Sequence, residues 1–482
     1  MPATPVIAIF DVGKTNKKVF LLDEQYKIVW ERVDTFAETT DEEGEACENL
    51  RQLTDWVERC IADLSGLSGF DIRAINFSAY GASFVYIGEE GAPVAPLYNY
   101  LKPYPQKLQK KFYRAFGGEV TFSMLTASPV LGSLNSGMQL YRIKEQQPDL
   151  FAKIKYALHL PQYLSYLCTG MACSDITSIG CHTNLWNFSQ QHYHEWVYRE
   201  GIIDKLAPVL PSTGVHPLAA SFSRGFRSAP VMSGVPAASH IPATSRNPVA
   251  GIGLHDSSAA MIPYLESFRE PFVLISTGTW CISMNSFNES PLTVAELQKD
   301  CLCYLSYQGS PVKASRLFAG YEHEQQVRRL AAHFHIDPAV AATIAFDPAI
   351  VSSLRSLEQA GLRPTTPLAG AGLPASVFNE RDPGGFHRFE EAYHRLLMDI
   401  MDQQIASTQL VLQGTQVSRI FVDGGFGKNQ VYMHLLAAAF PEMEVFAASM
   451  PQATAIGAAM AIHPHWNRRS LPGDIIELKY YK

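Results

Sequence analysis

Two glycine-containing loops of one kind, roughly half the chain apart, carry the residue types that hold phosphate. The first is Asp11-Val12-Gly13-Lys14-Thr15-Asn16, followed by Lys17 and Lys18. The second is Ser276-Thr277-Gly278-Thr279. In each, the glycine lets the backbone come close to a ligand, and hydroxyls beside exposed N–H groups can hold an anion. Asp11 ends an apolar run, where a carboxylate can reach a divalent cation directly or through water. Asp256 follows Gly251-Ile252-Gly253-Leu254-His255 and precedes Ser257-Ser258-Ala259-Ala260. A carboxylate there can accept a proton from a hydroxyl. Asp423-Gly424-Gly425, with Asn429 four residues on, is a glycine-rich turn that can lie against a flat base. Cradle, metal carboxylate and proton acceptor are the parts that phosphoryl transfer needs. Each motif also has a plainer reading: a β-turn for either loop, an N-cap for Asp256, a structural hydrogen bond for His255, a simple turn for the glycine pair.

The elements that must position these residues are legible as periods. Val6–Phe10 and Val19–Leu22 flank the first loop, and Phe272–Ile275 and Trp280–Met284 the second, so each loop reads as strand, tight turn, strand. An acidic patch, Glu38 to Glu48, reads as the solvated start of a helix whose face is Leu50, Leu53, Trp56, Val57, Cys60, Ile61 and Leu64. Ile72–Ser78 and Phe84–Ile87 read as buried strands. Helices are expected at Tyr104–Phe116, Ser136–Gln146, Leu160–Thr169, Ser257–Leu265, Glu322–His333, Phe389–Leu412 and Val431–Phe440. Strands are expected at Ile420–Val422 and Val445–Ala447. A Pro-, Ser- and Ala-rich stretch from Val209 to Pro248 reads as a boundary. Strands, helices and paired hairpins point to an α/β architecture with two similar cores and a nucleotide held between the halves.

Composition narrows the class. The chain has 482 residues, 47% of them hydrophobic, which is enough for more than one packed core. Charged residues make up 18% and the net charge is −7, with no basic stripe, so no nucleic-acid partner is expected. The eight cysteines are scattered. The close pair Cys301 and Cys303 reads as buried thiols, with a metal or redox role as the alternative. Scattered thiols, the lack of a leader-like N-terminus and the lack of a long apolar run lead to an expected cytoplasmic protein with no membrane segment.

The order of the motifs resembles the FGGY family of carbohydrate kinases. The residues that carry this are Asp-x-Gly-x-Thr at 11–15, His-Asp-Ser at 255–257, Ser-Thr-Gly-Thr-Trp at 276–280 and Gly-Gly-x-x-x-Asn at 424–429. The likeness spans essentially the whole chain. Within the family it is greatest to the kinases of L-rhamnulose and L-fuculose, through Asn135, Gln139 and Leu140, Glu145–Pro148, Leu160–Gly170 and Asp175-Ile176-Thr177. The resemblance implies two RNase H-like domains of the actin/Hsp70/sugar-kinase (ASKHA) fold, 1–248 and 249–482, with an interdomain cleft. It implies an ATP- and Mg²⁺-dependent kinase that phosphorylates a ketose, such as L-rhamnulose or L-fuculose at O1. Asp256 is then the base. His255, Ser257 and Gly81 touch the sugar, and Asp11 meets the metal. Gly13, Lys14, Thr15, Asn16, Lys17, Lys18, Thr277, Gly278 and Thr279 meet the phosphates. Gln325, Gly424, Gly425 and Asn429 lie near the nucleoside. The implied partner is a small sugar, and a homodimer is open to it.

Three departures fall mainly in the sugar-reading half. The family's Arg-Asp pair is replaced by Tyr98-Asn99-Tyr100-Leu101-Lys102, in which Lys102 or Asn99 is the expected substitute. Tyr80-Gly81-Ala82-Ser83 lacks a carboxylate. An asparagine is missing near Leu317. Another ketose or a polyol (xylulose, ribulose) therefore stays open, as does a non-catalytic sugar or nucleotide sensor. The chaperone branch of the fold is disfavoured, because the chain ends soon after the nucleotide motif.

Overall fold

The computed structural model describes residues 3–223, 247–359, 378–450 and 452–482. Residues 224–246 of the stretch expected as a boundary lie outside the described residues. The apolar runs around the first loop are the strands Thr4–Val12 and Asn16–Asp23, paired antiparallel so that Asp11 stands opposite Lys18. Ile28–Thr35 adds antiparallel to the second of them. On its other side Thr4–Val12 runs parallel to Phe70–Ala79. That strand holds Val249–Gly251 and Leu254–His255, both parallel. The first sheet thus reaches across residue 248, and the strands leading into Asp256 belong to it.

The second sheet repeats the plan. Phe272–Thr277 pairs antiparallel with Cys281–Asn285, and that strand with Pro311–Leu317. Arg419–Gly424 lies parallel to Phe272–Thr277, and Glu444–Ser449 parallel to Arg419–Gly424. Each half therefore has three antiparallel strands followed by two parallel ones, with a glycine loop between the first and second. Cys301–Leu305 and Glu477–Tyr481 widen the second sheet at its two edges.

Helix Leu50–Ser65 buries the expected face, Leu53 to Leu64, on the first sheet. The acidic stretch before it is not a solvated helix start. Glu48 is buried and takes Lys17 Nζ at 2.8 Å, and Asp41 is buried and takes Lys102 Nζ at 2.5 Å. A separate aromatic core, with Phe112, Phe122 and Trp196 at its centre, fills the insert after Phe84–Ile87. This insert reaches the second sheet, where Cys303 N–H donates to the Ala127 carbonyl at 2.9 Å. All eight cysteines are buried and free, as the thiol reading expects. Among the described residues no helix is long and apolar enough to cross a membrane.

Two helices lie between the sheets. Asp256–Ser267 packs Ala259 and Ile262 against Ile7 and Ile9 of the first sheet, and Met261 and Tyr264 against Phe272 and Leu274 of the second. Ala453–Ala461, made almost wholly of small residues, crosses it and also covers the first sheet. Gly457 is the point of contact: a Cβ there would stand 1.8 Å from the Ala259 carbonyl oxygen. Asn76 Nδ2 fixes the crossing with a 2.7 Å hydrogen bond to the Ala458 carbonyl. Gly457→Ala is therefore expected to cost about 2–3 kcal/mol, the upper range for overpacking where backbone cannot yield. Urea denaturation followed by fluorescence reads this out, and an unchanged midpoint would mean that the helices part freely.

Candidate active site

Strand register and the helix crossing bring Asp11, Lys18 and the start of helix Asp256–Ser267 together. Asp11 accepts a hydrogen bond from Thr454 Oγ1 at 3.0 Å, and Lys18 Nζ donates to Gln452 Oε1 at 3.2 Å. Burial, and then the charge of Asp256, push the Asp11 carboxyl up to about 6. The Thr454 hydrogen bond and Lys18 offset this only in part. Two like charges held this way fit a divalent cation, which would relieve the repulsion. Among the described residues no three or more His, Cys, Asp or Glu side chains cluster as a metal site. A cation here must therefore draw ligands from phosphate oxygens and water, as Mg²⁺ commonly does.

Asp256 is the first residue of its helix, and His255 occupies the N-cap position, so the N-cap reading of Asp256 does not hold. Asp256 Oδ1 accepts from its neighbour's Ser257 N–H at 2.5 Å and from Ser257 Oγ at 3.2 Å. Oδ2 has no partner among the described residues. One oxygen is thus tied down and the other is presented.

His255 is held on every side. Its N–H donates to Thr177 Oγ1 at 3.0 Å, and Thr177 is fixed in turn by the buried carboxylate of Asp175. Its Nδ1 lies 3.4 Å from Ser258 Oγ, whose own proton goes to the Leu305 carbonyl. Its Nε2 stands 3.1 Å from Cys181 Sγ and 3.2 Å from Asp256 Oδ1, a carboxylate oxygen that can only accept. Burial lowers the His255 pKa, so the ring is neutral and makes no ion pair with Asp256, 3.2 Å away. Gly81 faces this ring: a Cβ there would come within 2.9 Å of His255 Cδ2. The Tyr304 ring stands 5.9 Å from that of His255.

The second hairpin closes with Gly278 N–H donating to the Trp280 carbonyl at 2.9 Å. The Thr277 hydroxyl is spent within the fold. It donates to the Asp423 carbonyl at 2.6 Å and accepts from Phe426 N–H at 3.0 Å. This clamps the glycine-rich turn. Gly424 has φ +92° and passes so close to Thr277 that a Cβ would meet its carbonyl oxygen at 1.9 Å, so no other residue fits. Gly278, Gly425 and Asn429 line one cavity of about 650 Å³ with Gly320, His323 and Tyr393. Asn429 Nδ2 donates to Tyr393 Oη at 2.6 Å on its wall.

Other expected residues are placed elsewhere. Lys17, one step from Lys18 on the strand, points to the opposite face and is buried against Glu48 and the Lys14 carbonyl. Lys14 Nζ pairs with Glu38 at 2.7 Å. Thr15 and Asn16 form the exposed hairpin tip, and Thr279 is likewise exposed. Gln325 does not line the cavity, which takes Gly320, His323, Glu324, Val327 and Arg328 from the face of its helix. Lys102 is held by Asp41 and by Glu43 at 3.4 Å, and Asn99 lies beside Glu38, so neither is available as a substitute for an Arg-Asp pair. Thr454, Gln452, Cys181 and Tyr304 went unnoticed in the sequence. For the first two the signal is a Gln-Ala-Thr ahead of an alanine-rich helix.

The N-terminal domain model of the FGGY family of carbohydrate kinases matches residues 6–216. Two C-terminal domain models of the same family match 269–357 and 392–462. A rhamnulokinase of Mannheimia succiniciproducens is 25% identical over 176 residues, 36% of this chain and 36% of that protein. An L-fuculokinase of Salmonella typhi is 24% identical over 288 residues, 58% of this chain and 56% of that protein. The chain thus spans only about a third to a half of the length of these relatives. A carbohydrate kinase from Novosphingobium aromaticivorans shares the fold, with a TM-score of 0.77 at 22% identity, over 99% of this chain and 94% of that one.

The raised Asp11 pKa makes a stability prediction. Its folded value, about 6, lies above the 3.8 of an ordinary aspartate, so folding holds the proton. The stabilisation this gives is complete below about pH 4 and is lost as pH rises through about 6. Asp11→Asn, which is neutral throughout, is expected to melt higher than the parent at pH 7.5 without nucleotide, with the gap closing toward pH 4. Thermal melts across that range check this. A gap that is constant with pH would show that Asp11 does not titrate there.

Proposed function

The chain belongs to the FGGY family of carbohydrate kinases, and from that premise we propose that it transfers the γ-phosphate of ATP to a hydroxyl of a ketose. The observation that carries this is the Asp256 carboxylate, with one oxygen fixed by Ser257, the other free, and Asp11 beside it. The nucleoside occupies the cavity between Gly425, Asn429 and helix Ala319–Phe334, which sends the phosphates past Gly278 toward Lys18. The sugar lies against Gly81 and His255, and Ser257 keeps Asp256 aimed at it. As the sugar hydroxyl attacks phosphorus, its proton passes to Asp256 Oδ2 and the bond to the β-phosphate oxygen breaks. Asp11 would hold Mg²⁺, directly or through water, and the ion would supply positive charge to the phosphate oxygens. Closure of the two halves keeps water from competing with the sugar.

The sugar proposed is a 6-deoxy-ketohexose, L-rhamnulose or L-fuculose, phosphorylated at O1. The support is the pair of relatives named for those substrates. Coupled ADP release with Mg·ATP over L-rhamnulose, L-fuculose, D-xylulose and D-ribulose tests this. Turnover on one of the first two is expected. In Asp256→Asn it should fall by about 10²–10⁴-fold, the range for a general base, with ADP affinity unchanged. ADP binding without turnover on any sugar would favour a sensor on the same fold.

A further inference from the structure

In the segment Tyr98–Lys102, which stands where the family has its Arg-Asp pair, no residue forms a guanidinium–carboxylate pair, and Lys102 is committed to Asp41 and Glu43. The second sheet provides one. Arg316, on strand Pro311–Leu317, holds Asp300 through two parallel bonds, Nε to Oδ2 at 3.1 Å and Nη2 to Oδ1 at 2.7 Å. The guanidinium is capped by Trp280 of the second hairpin, 5.6 Å from the ring centroid. Its Nη1 has no partner among the described residues. Arg316 is only 9% exposed, whereas the Asp300 side chain is 34% exposed. Asp300 sits at φ +59°, a left-handed conformation costly for a residue with a Cβ. Both its backbone groups are pinned: its N–H to the Leu297 carbonyl at 3.2 Å, its carbonyl to Arg316 N–H at 3.3 Å.

The pair borders the site of Asp256. Tyr304, on the adjacent strand Cys301–Leu305, sets its ring at a tilt 5.9 Å from that of His255 and 6.2 Å from that of His182. Among the described residues its hydroxyl has no hydrogen-bond partner. Tyr304 stands opposite Val312 on the neighbouring strand, and Val312 shares a face with Arg316 four residues on.

We propose that the Asp300–Arg316 pair, seated under Trp280, reads a vicinal diol of the sugar at the end remote from the phosphorylated hydroxyl. This rests on the kinase reading above. The carboxylate accepts from one hydroxyl, and Nη1 donates to its neighbour. The pair is neutral as a unit and Asp300 is its more exposed half. It therefore selects uncharged polyhydroxy substrates and repels sugar acids.

Steady-state kinetics of Asp300→Asn and Arg316→Lys test the pair, with the wild type's own best ketose, Mg·ATP and D-gluconate as a competing aldonate. The sugar KM should rise at least tenfold in both variants, while the ATP KM stays within twofold. In Asp300→Asn, where the Arg316 charge is uncompensated, D-gluconate should inhibit at least fivefold more strongly than in the wild type. A merely structural role does not produce that gain. Sugar KM values within twofold of wild type in both variants, with unchanged gluconate inhibition, would overturn the proposal. If either variant melts well below the parent, Trp280→Phe serves as the milder change, and a sugar KM within twofold of wild type there likewise counts against it. If the wild type turns over no ketose, the kinase reading fails separately, and the pair is judged by sugar-induced melting shifts. A shift lost in the variants upholds it, and no shift in the wild type overturns it.

Discussion

The packing of Gly457 against the Ala259 carbonyl is the contact on which the rest of the molecule depends. Helix Asp256–Ser267 carries Pro263 in its interior. Proline has no N–H, so the carbonyl four residues earlier, that of Ala259, is left without its helical donor. Gly457 lies directly over that oxygen, with Pro263 Cδ 3.3 Å from where a Cβ would stand. Close Cα–H···O approach of this kind gives weak direct stabilisation, a fraction of the worth of an N–H bond. Its larger effect is distance. The two helices meet backbone to backbone, so their N-termini lie side by side. One N-terminus presents Asp256, and the other brings Gln452 and Thr454 to Lys18 and Asp11. Both halves of the chain are registered through this crossing.

Charge burial is handled differently at the site and away from it. Glu48 has Lys17, Glu296 has Lys313 at 2.9 Å, and Asp399 has both Arg381 and Arg395. Each of these buried carboxylates has a cation in direct contact, without which burial of the charge would be strongly destabilising. Asp11 has only a hydroxyl in contact and a second carboxylate nearby. Buried Asp175 also lacks a cation, but its carboxylate accepts from Ser212 Oγ and from the Thr177 N–H and hydroxyl, whereas Asp11 has one hydroxyl and a like charge, a repulsion that a bound cation would relieve.

The hairpins, the long helix Phe389–Leu412 and the amphipathic helix Leu50–Ser65 were legible because glycine punctuates a turn and a one-sided helix shows its period. Ala453–Ala461 was not, because a helix made of Ala, Gly, Ile and Met and buried between layers has no polar stripe to alternate with. Cys301–Leu305 is buried along its whole length, so it lacks the alternation of a half-exposed strand. The lysines of the first loop were grouped as one phosphate cradle. Strand alternation sends Lys17 and Lys18 to opposite faces, and only Lys18 shares a face with Asp11, its cross-strand partner. The acidic patch misled for another reason: the cations that bury Glu48 and Asp41 come from Lys17 and Lys102, and no local pattern announces a partner that far away. Thr454 reaches Asp11 across 443 positions, which no motif read along the chain can express.

The aim of Asp256 is set by more than its own hydrogen bonds. Its own hydrogen bonds come from the adjacent Ser257, and these fix one oxygen without fixing the direction of the helix end. That direction comes from His255, the residue before it. The His255 backbone is tied through Thr177 to Asp175, its ring is confined by Cys181 and Ser258, and Gly81 leaves no space to spare on the ring's open edge. Because burial keeps the imidazole neutral, its place near the carboxylate does not change with charge in the neutral pH range. The ring therefore acts as a spacer. It holds the first turn of the helix off the N-terminal wall by its own width.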